Sequence, residues 1–178
     1  QAAGLAQGSA NAQSDDQDAQ VIPDVWDLHI VGDGPERGAI EQLIASAGPQ
    51  AVSRIHLLGY KSGEDLQREV GNARFTVLSS EWRENMPYSG LESLAAQTPI
   101  IGARIGGIPE LVEEGKTGVT FESGNAVDLS NSMLKCAAVS ALNYSAMQHS
   151  CREYVNARCL QNEYALALVD LYERVIQR

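Results

Sequence analysis

Short apolar runs alternate along this chain with segments in which apolar residues recur every three or four positions. One such segment places Ile40, Leu43 and Ile44 on the same side of a helix. We predict strands at 28–31, 55–58, 75–78, 100–101 and 118–121, and further helices at 64–73, 87–97 and 109–113. Strands that alternate with helices along a chain pair in parallel. This alternation therefore predicts an α/β fold with a doubly wound parallel sheet.

The two ends of the chain differ from this alternating region. Residues 1–24 are rich in Gln, Ala, Ser, Asn and Asp, and such a segment buries too little apolar surface to offset the entropy lost on ordering it. We therefore predict a flexible polar tail or insertion over 1–24 and one domain over 25–178. From about Ala126 onward the pattern is helical, and residues 164–175 carry an apolar stripe.

Composition and charge exclude several classes of function. The length of 178 residues suits one α/β domain. The chain has 13 Lys and Arg against 23 Asp and Glu, a net charge of −10, and no basic patch. We therefore expect no nucleic-acid partner. No apolar run reaches the ~20 residues of a transmembrane segment, and no signal-peptide pattern is visible. The 3 cysteines have no CxxC spacing, which predicts reduced thiols in a cytoplasmic protein without a zinc site.

The loop after the third predicted strand carries the clearest chemical signal, since ligands of open α/β sheets bind at the carboxyl ends of strands. We expect Pro87 to start a helix, which leaves Glu84 in the loop before it and Glu92 in its second turn. Between them, the amides of the first helical turn form an anion site. This layout suits a ligand with hydroxyls at both ends and phosphates between them, such as a nucleotide-sugar. Two ordinary surface carboxylates would show the same spacing.

Two glycine-containing loops reach the same predicted edge. Gly32 and Gly34 follow the first strand, but the spacing to Gly38 and the lack of an acid at the end of the next strand exclude a dinucleotide fingerprint. Gly106 and Gly107 follow the fourth strand and permit close approach of a backbone. Either loop is also compatible with an ordinary tight turn.

Several motifs follow one another in a fixed order. They are residues 31–35, residues 58–60, Glu84-x7-Glu92, residues 95–102, residues 106–112 and Gly115-x2-Gly118. This set resembles the C-terminal, donor-binding domain of the group 1 (family 4) glycosyltransferases, which are retaining enzymes of the GT-B type with two Rossmann-like domains. The resemblance covers about residues 26–134. It implies a Rossmann-like fold, and a glycosyltransferase activity in the full-length protein.

The resemblance also implies roles for individual residues. Glu84 would contact hydroxyls of the transferred sugar and is the predicted catalytic residue, while Glu92 would hold the ribose. The other donor-binding residues that it implies are Asn85, Met86, Tyr88, Ser89, Gly32, Gly34, Tyr60, Lys61, Gly106 and Gly107. Residues 85–89 would receive the diphosphate and residues 60–62 would lie near the base. We expect no metal and no cofactor; the donor substrate is a nucleotide-diphosphate-sugar. The resemblance also implies a front-face displacement, in which neither Glu is a glycosidase-type nucleophile.

The chain departs from the family before Trp26. Family members carry an Arg and a Lys for the diphosphate in a first strand–helix unit, where this chain has only the polar segment 1–24. The first strand is central in a doubly wound sheet, so we expect that unit to be missing and its two neighbouring strands to lack a partner. Strand exchange or another chain would then fill the gap. We also expect the fragment to be inactive alone. A glycan or lipid-linked acceptor would be bound by an N-terminal domain that is absent here. The full-length protein would lie in the cytoplasm or peripherally at the inner face of the membrane.

Two other functions stay open. One is a sugar-nucleotide epimerase of the same two-domain plan, for which His and acidic residues in the cleft between domains would be expected. The other is a non-catalytic domain that binds a nucleotide-sugar. His29, His56 and His149 fall on predicted strands or a late helix, and we interpret them as structural.

Overall fold

The computed structural model of the chain describes residues 26–158 and 161–177, without the side chains of 161–163. Its strands are β1 (Leu28–Val31), β2 (Ile55–Gly59), β3 (Thr76–Leu78), β4 (Ile100–Ala103) and β5 (Gly118–Phe121). Its helices are α1 (Arg37–Ser46), α2 (Pro49–Arg54), α3 (Gly63–Asn72), α4 (Tyr88–Ala95), α5 (Ile108–Leu111), α6 (Ala126–Ala137), α7 (Ala141–Arg158) and α8 (Gln161–Ile176). The prediction of a polar tail over 1–24 lies outside the described residues.

The strands form two parallel groups. β1 pairs with β2, with Leu28 opposite Ile55. β4 lies between β3 and β5, with Ile100 opposite Thr76 on one side and Gly118 on the other. This arrangement confirms the predicted α/β class and its Rossmann-like parallel sheet. Within the described residues, no strand pairs with the second edge of β1 or of β3, as expected for a doubly wound sheet without its central strand.

The structure shows where two of the predicted helices begin and adds one helix between them. α1 begins at Arg37, because Pro35 lies in a turn that is closed by the Arg37 N–H donating to the Gly34 carbonyl at 3.1 Å. The sequence predicts only a helix end at Gly48, yet α2 follows at once, since Gly48 takes a φ of 96° and Pro49 then starts a new helix. Pro87 is the N-cap of α4 and not its first helical residue.

The core is concentrated around the three-stranded group. All four residues of β4 are buried, and alternate residues of this strand join different clusters. Ile100 packs with residues of α4, α5 and α7, whereas Ile101 and Ala103 pack with residues of α5, β5 and α6. Helices therefore cover both faces of this group, as in other parallel sheets. β1 and β2 contain no buried residue.

Buried hydroxyl groups tie the amino-terminal edge of this group together. Ser93 Oγ donates to the Thr98 carbonyl at 2.7 Å and lies 2.7 Å from Thr76 Oγ1. Thr98 Oγ1 donates to the Val70 carbonyl at 2.8 Å. These bonds join the ends of α3 and α4 to the start of β3, so the helices cannot slide along the sheet without losing them.

The loop before β5 fixes that strand and covers its outer edge. Thr117 Oγ1 accepts the N–H of Glu113 at 2.7 Å and donates to the Leu111 carbonyl at 3.0 Å. The N–H of Thr120 donates to a carboxylate oxygen of Glu114 at 2.8 Å, and Glu114 also forms an isolated bridge with Gly118. The exposed edge of β5 is thus protected against pairing with another strand.

Candidate functional site

The loop after β3 is held in one shape by short-range hydrogen bonds. The N–H of Trp82 donates to Ser80 Oγ at 3.2 Å, and the N–H of Glu84 donates to the Trp82 carbonyl at 3.0 Å. Ser123 Oγ, from the loop after β5, donates to the Ser80 carbonyl at 3.1 Å. The loop therefore presents Glu84 from a braced backbone at the carboxyl edge of the sheet.

Gly106 and Gly107 brace this loop from the β4 side. The N–H of Gly107 donates to the Glu84 carbonyl at 2.8 Å. A methyl group at Gly107 would overlap the Asn85 carbonyl oxygen, and one at Gly106, where φ is 55°, would overlap the Glu84 carbonyl oxygen. The sequence predicts a close backbone approach at this glycine pair. In the structure, the backbone that approaches is the chain's own at residues 84–85.

The start of α4 lies where the sequence predicts an anion site. Pro87 is buried and caps the helix, and its carbonyl accepts the N–H of Gly90 at 3.0 Å. The N–H groups of Tyr88 and Ser89 belong to the first turn, which has no preceding turn to supply acceptors. The positive end of the helix dipole adds to the attraction for negative charge.

The predicted residues of this loop and helix all face solvent. Those classed as exposed are Glu84, Asn85, Met86, Tyr88, Ser89 and Glu92. Glu84 precedes the start of α4 and Glu92 lies one turn into it, so the first-turn amides lie between these two residues along the chain. The structure thus has one predicted carboxylate on each side of the first turn of α4 along the chain.

The loop after β1 ends at the same edge of the two-stranded group. The N–H of Gly32 donates to the Gly59 carbonyl at 2.8 Å, with a φ of 137° at Gly32. The N–H of Gly34 donates to the carboxylate of Asp33 at 2.9 Å, and open space surrounds the position of a Cβ at Gly34. The backbone of this loop is therefore accessible to a ligand.

Tyr60 and Lys61 follow β2, but their side chains have different surroundings. Tyr60 is 78% exposed. Lys61 Nζ lies 2.6 Å from a carboxylate oxygen of Glu69, and His29 Nδ1 lies 3.1 Å from the other oxygen. The hydrogen bond from Lys61 and then that from His29 lower the pKa of the Glu69 carboxyl. Lys61 thus joins the loop after β2 to α3.

A second ion pair lies at the end of β4. Arg104 Nη2 lies 3.0 Å from Asp128 Oδ2, and the N–H of Glu122 donates to the same oxygen at 2.6 Å. The pKa of the Asp128 carboxyl is lowered, first by the N–H of Glu122 and then by Arg104. This arrangement fastens the start of α6 to β4 and directs the Arg104 charge toward Asp128.

Two clefts border the candidate site. One, of about 730 Å³, lies between the loops after β3 and β5 and includes the carboxylates Glu81 and Glu122. The other, of about 490 Å³, is lined by Met86, Leu91, Glu110, Tyr154 and Arg158. Met86 is the one predicted site residue that lines either of these two clefts. In the part of the chain that is described, no three metal-ligating side chains come together.

Trp82 was not among the residues predicted for the site. Its side chain is 82% exposed, although large aromatic residues usually bury most of their surface. The sequence did contain an indication of an exposed ring, because Trp82 stands in a polar loop two residues before Glu84. An exposed aromatic ring on a braced loop is available to stack on a ligand or a facing surface.

Comparison with known proteins establishes the family. The sequence model of the family described as "Glycosyl transferases group 1" matches residues 16–138. The chain belongs to the group 1 glycosyltransferases. It is 32% identical over 108 residues to N-acetyl-alpha-D-glucosaminyl L-malate synthase of Bacillus anthracis, covering 61% of the chain and 27% of that enzyme. It is 33% identical over 104 residues to a sulfoquinovosyl transferase of Arabidopsis thaliana, covering 57% of the chain and 19% of that enzyme.

Solved structures of glycosyltransferases share the fold. HepE of Anabaena, solved in complex with UDP, superimposes with a TM-score of 0.68 at 19% identity, over 82% of this chain and 41% of that one. Sucrose-phosphate synthase of Thermosynechococcus elongatus superimposes with a TM-score of 0.69 at 24% identity, over 84% of this chain and 38% of that one. The group 1 chain thus has the GT-B type of Rossmann-like fold and spans less than half the length of these proteins. No helix in its described part is long and apolar enough to cross a bilayer.

Proposed function

We propose that the chain is the donor-binding part of a retaining glycosyltransferase, which transfers a sugar from a nucleotide-diphosphate-sugar to a glycan or lipid-linked acceptor. The observation that carries this proposal is the start of α4, where the amides of Tyr88 and Ser89 lie between the carboxylates Glu84 and Glu92. An anion site with a hydroxyl-binding group on each side matches the order sugar, diphosphate, ribose along such a donor. Membership of the family and the complex of HepE with UDP support the same ligand class.

Each carboxylate has its own role in this proposal. Glu84, on the braced loop, accepts hydrogen bonds from hydroxyls of the transferred sugar. Glu92 accepts hydrogen bonds from the ribose hydroxyls. The amides at Tyr88 and Ser89 bind the diphosphate and stabilise the negative charge that develops as it leaves. Tyr60 lies at the position proposed for the base, and the Lys61–Glu69 pair holds that loop.

The glycine loops complete the proposed donor surface in two different ways. Gly32 and Gly34 leave a backbone that a phosphate or sugar can approach, because open space surrounds both α-carbons. Gly106 and Gly107 support Glu84 and Asn85 from behind through the hydrogen bond to the Glu84 carbonyl. The reaction is proposed to retain the anomeric configuration by front-face attack, with the leaving diphosphate assisting the acceptor and without a metal.

The proposal is tested on the full-length enzyme with UDP as the probe in titration calorimetry. We expect Glu92→Gln to raise the Kd for UDP on the order of 10- to 100-fold, the effect of losing hydrogen bonds to a charged group. Glu84→Gln should leave UDP binding within about twofold and lower kcat/KM for UDP-glucose on the order of 10- to 100-fold. Glu173→Gln, an exposed carboxylate on α8, is the matched control. Unchanged UDP binding by Glu92→Gln would refute the ribose role.

The stereochemistry needs a separate experiment. Proton NMR of the first product formed from an α-linked donor should show an α-linkage, before any slower change of anomer. A β-linked first product would refute retention while leaving the proposed donor surface intact.

A further inference from the structure

We infer that Trp82 binds the acceptor of the transfer reaction, and that this acceptor presents a pyranose ring whose C–H face stacks on the indole. This role rests on the proposed function, because it continues the proposed donor surface along the same loop. The sequence leads us to expect the acceptor on an N-terminal domain, and Trp82 gives it a contact in the present domain as well.

The two tryptophans of the chain differ in their surroundings. The Trp26 ring stacks on that of Phe75, with centroids 6.0 Å apart, and its centroid lies 4.8 Å from the Arg74 guanidinium. Trp82 takes part in none of the ring or cation–π contacts among the described residues, and its side chain is 82% exposed. Most of the Trp82 indole is therefore open to a ligand.

The backbone of Trp82 is fixed although its ring is exposed. Ser80 Oγ accepts the N–H of Trp82 at 3.2 Å and donates to the Trp82 carbonyl at 3.3 Å. The same carbonyl accepts the N–H of Glu84 at 3.0 Å, which closes a three-residue turn. A ligand that stacks on Trp82 therefore has little backbone to order, which favours binding.

The neighbours of Trp82 in the chain favour a sugar over a protein surface as its partner. Glu81, Arg83 and Glu84 are all exposed. The carboxylates of Glu81 and Glu84 make no hydrogen bond or ion pair within the part of the chain that the structure describes. Charged residues are depleted at the centre of protein interfaces, where aromatic rings are enriched. A pyranose instead offers a C–H face to the ring and hydroxyls to carboxylates, which only accept hydrogen bonds.

The order of the proposed donor contacts assigns this end of the loop to the acceptor. The proposed donor runs backward along the chain, with its ribose at Glu92, its diphosphate at the first turn of α4 and its transferred sugar at Glu84. The attacking oxygen of the acceptor must come within about 3–3.5 Å of the transferred sugar. In the same direction past Glu84, the next group that can bind a sugar ring is Trp82, at the other end of the three-residue turn.

A cleft beside this turn supplies hydrogen-bonding groups for the acceptor. Glu81, the residue before Trp82, lines the cleft of about 730 Å³ between the loops after β3 and β5. The polar residues of its lining are Ser79, Glu81, Glu122, Ser123 and Asn125. Hydroxyl, amide and carboxylate groups in one cleft suit the hydroxyls of a sugar. Glu81 accordingly accepts a hydrogen bond from a hydroxyl of the ring that stacks on Trp82.

Fluorine NMR of the full-length enzyme, labelled with 5-fluorotryptophan and saturated with UDP, tests the stacking. The Trp82 signal is assigned by its absence from Trp82→Phe. The probes are the methyl glycosides of glucose, galactose, mannose and N-acetylglucosamine, with glycerol as a hydroxyl compound that lacks a ring. At least one glycoside should shift the Trp82 signal saturably, and glycerol at the same concentration should not. A signal that no glycoside shifts, or that glycerol shifts equally, would overturn the role of Trp82.

Transfer from UDP-glucose to the glycoside that shifts the signal gives a second readout. Trp82→Ala should raise the KM for this glycoside on the order of 10- to 100-fold, because a stacked ring and its buried surface are lost. Trp82→Phe should raise it less, since a smaller ring still stacks, and Glu81→Gln should raise it on the order of 10-fold. Leu142→Ala is the matched control, because the Leu142 side chain is also 82% exposed. A wild-type KM in Trp82→Ala would contradict the stacking.

Titration with UDP separates failure of this role from failure of the proposed function. Trp82→Ala should leave the Kd for UDP within about twofold, since the indole contacts the acceptor and not the nucleotide. If UDP binds equally well to the wild type and to Glu92→Gln, the proposed donor site is wrong. If UDP binding depends on Glu92 while Trp82→Ala keeps the wild-type KM, only the acceptor role of Trp82 is wrong.

Discussion

Replacing Gly107 by alanine perturbs the proposed donor surface without touching a ligand-facing side chain. Gly107 is buried, and its N–H donates to the Glu84 carbonyl at 2.8 Å. The added methyl group would overlap the carbonyl oxygen of Asn85, which belongs to a backbone and not to the end of a flexible side chain. Residues 84–85 must therefore withdraw, and the Gly107–Glu84 hydrogen bond lengthens or breaks.

The size of the effect follows from this geometry. Overpacking of a fitted site costs about 1–3 kcal/mol of unfolding free energy. Loss of one hydrogen bond adds about 1 kcal/mol. A displacement of about 1 Å at a group that positions a substrate costs on the order of 100-fold in rate. We therefore expect a loss of about 2–4 kcal/mol in stability, and a fall in kcat/KM on the order of 100-fold.

Urea unfolding and transfer kinetics of the full-length enzyme measure the two effects separately, at a temperature where the variant is fully folded. Gly38→Ala is the matched control, because the same change in the first turn of α1 meets open space. It should stabilise the protein by about 0.5–1 kcal/mol and leave transfer unchanged.

Two results would refute the reasoning about Gly107. Unchanged stability together with unchanged kcat/KM would mean that the loop is not braced by this glycine. Lost stability with wild-type kcat/KM would mean that the position of residues 84–85 does not matter for transfer, which would also remove the structural support for the role of Glu84.

Three further predictions concern stability and reactivity. Thr117→Val should lower the unfolding free energy by about 2–4 kcal/mol, since it leaves two buried backbone groups unpaired, while Thr117→Ser should lose much less. The Glu122 N–H lowers the pKa of the Asp128 carboxyl, so the unfolding free energy that this carboxylate contributes is present above its ordinary pKa of 3.8 and is lost as the pH falls below that value. Urea unfolding at pH 2–6 should therefore show an unfolding free energy that depends less on pH for Asp128→Asn. Burial raises the pKa of the Cys136 and Cys151 thiols from 9.0 to about 12. Iodoacetamide at pH 8 should therefore label both, by peptide mass mapping, on the order of 1,000-fold more slowly in the native than in the unfolded chain. Native labelling of either thiol at the unfolded rate would contradict this.

The alternation of strands and helices could be predicted from the local pattern of apolar and polar residues, as two elements show. β5 coincides with the predicted 118–121, because Gly115 and Gly118 delimit a short apolar run. α2 was missed because Gly48-Pro49 signals a helix end and a helix start equally well, and six residues are too few for a periodic pattern. The two-group sheet was expected from the family resemblance, because the polar segment 1–24 stands where the family has the central first strand.

The candidate site was predictable only where its chemistry is local. The helix start at Tyr88 and the flanking carboxylates follow from Pro87 and a spacing of eight residues. The partner of Gly106 and Gly107 depends on tertiary packing between two loops, and no sequence pattern specifies it. The pairing of Lys61 with Glu69 likewise joins residues eight positions apart across the start of α3. The ligand roles of Glu84, Glu92 and the other predicted residues stay predictions until the titrations above are made.

The hydroxyls of buried Ser93 and Thr98 and of half-buried Thr76 have a consequence for how such a domain diversifies. Their hydrogen bonds join helices and strands of the three-stranded group at the end of the sheet opposite the proposed donor site. Loops at the opposite end can therefore change in length or sequence without loss of these hydrogen bonds, provided that the contacts between the loops themselves are kept. If residues 80–86 bind the donor as proposed, a graft of this loop from a relative would change donor preference and leave the hydrogen bonds of Ser93 and Thr98 in place.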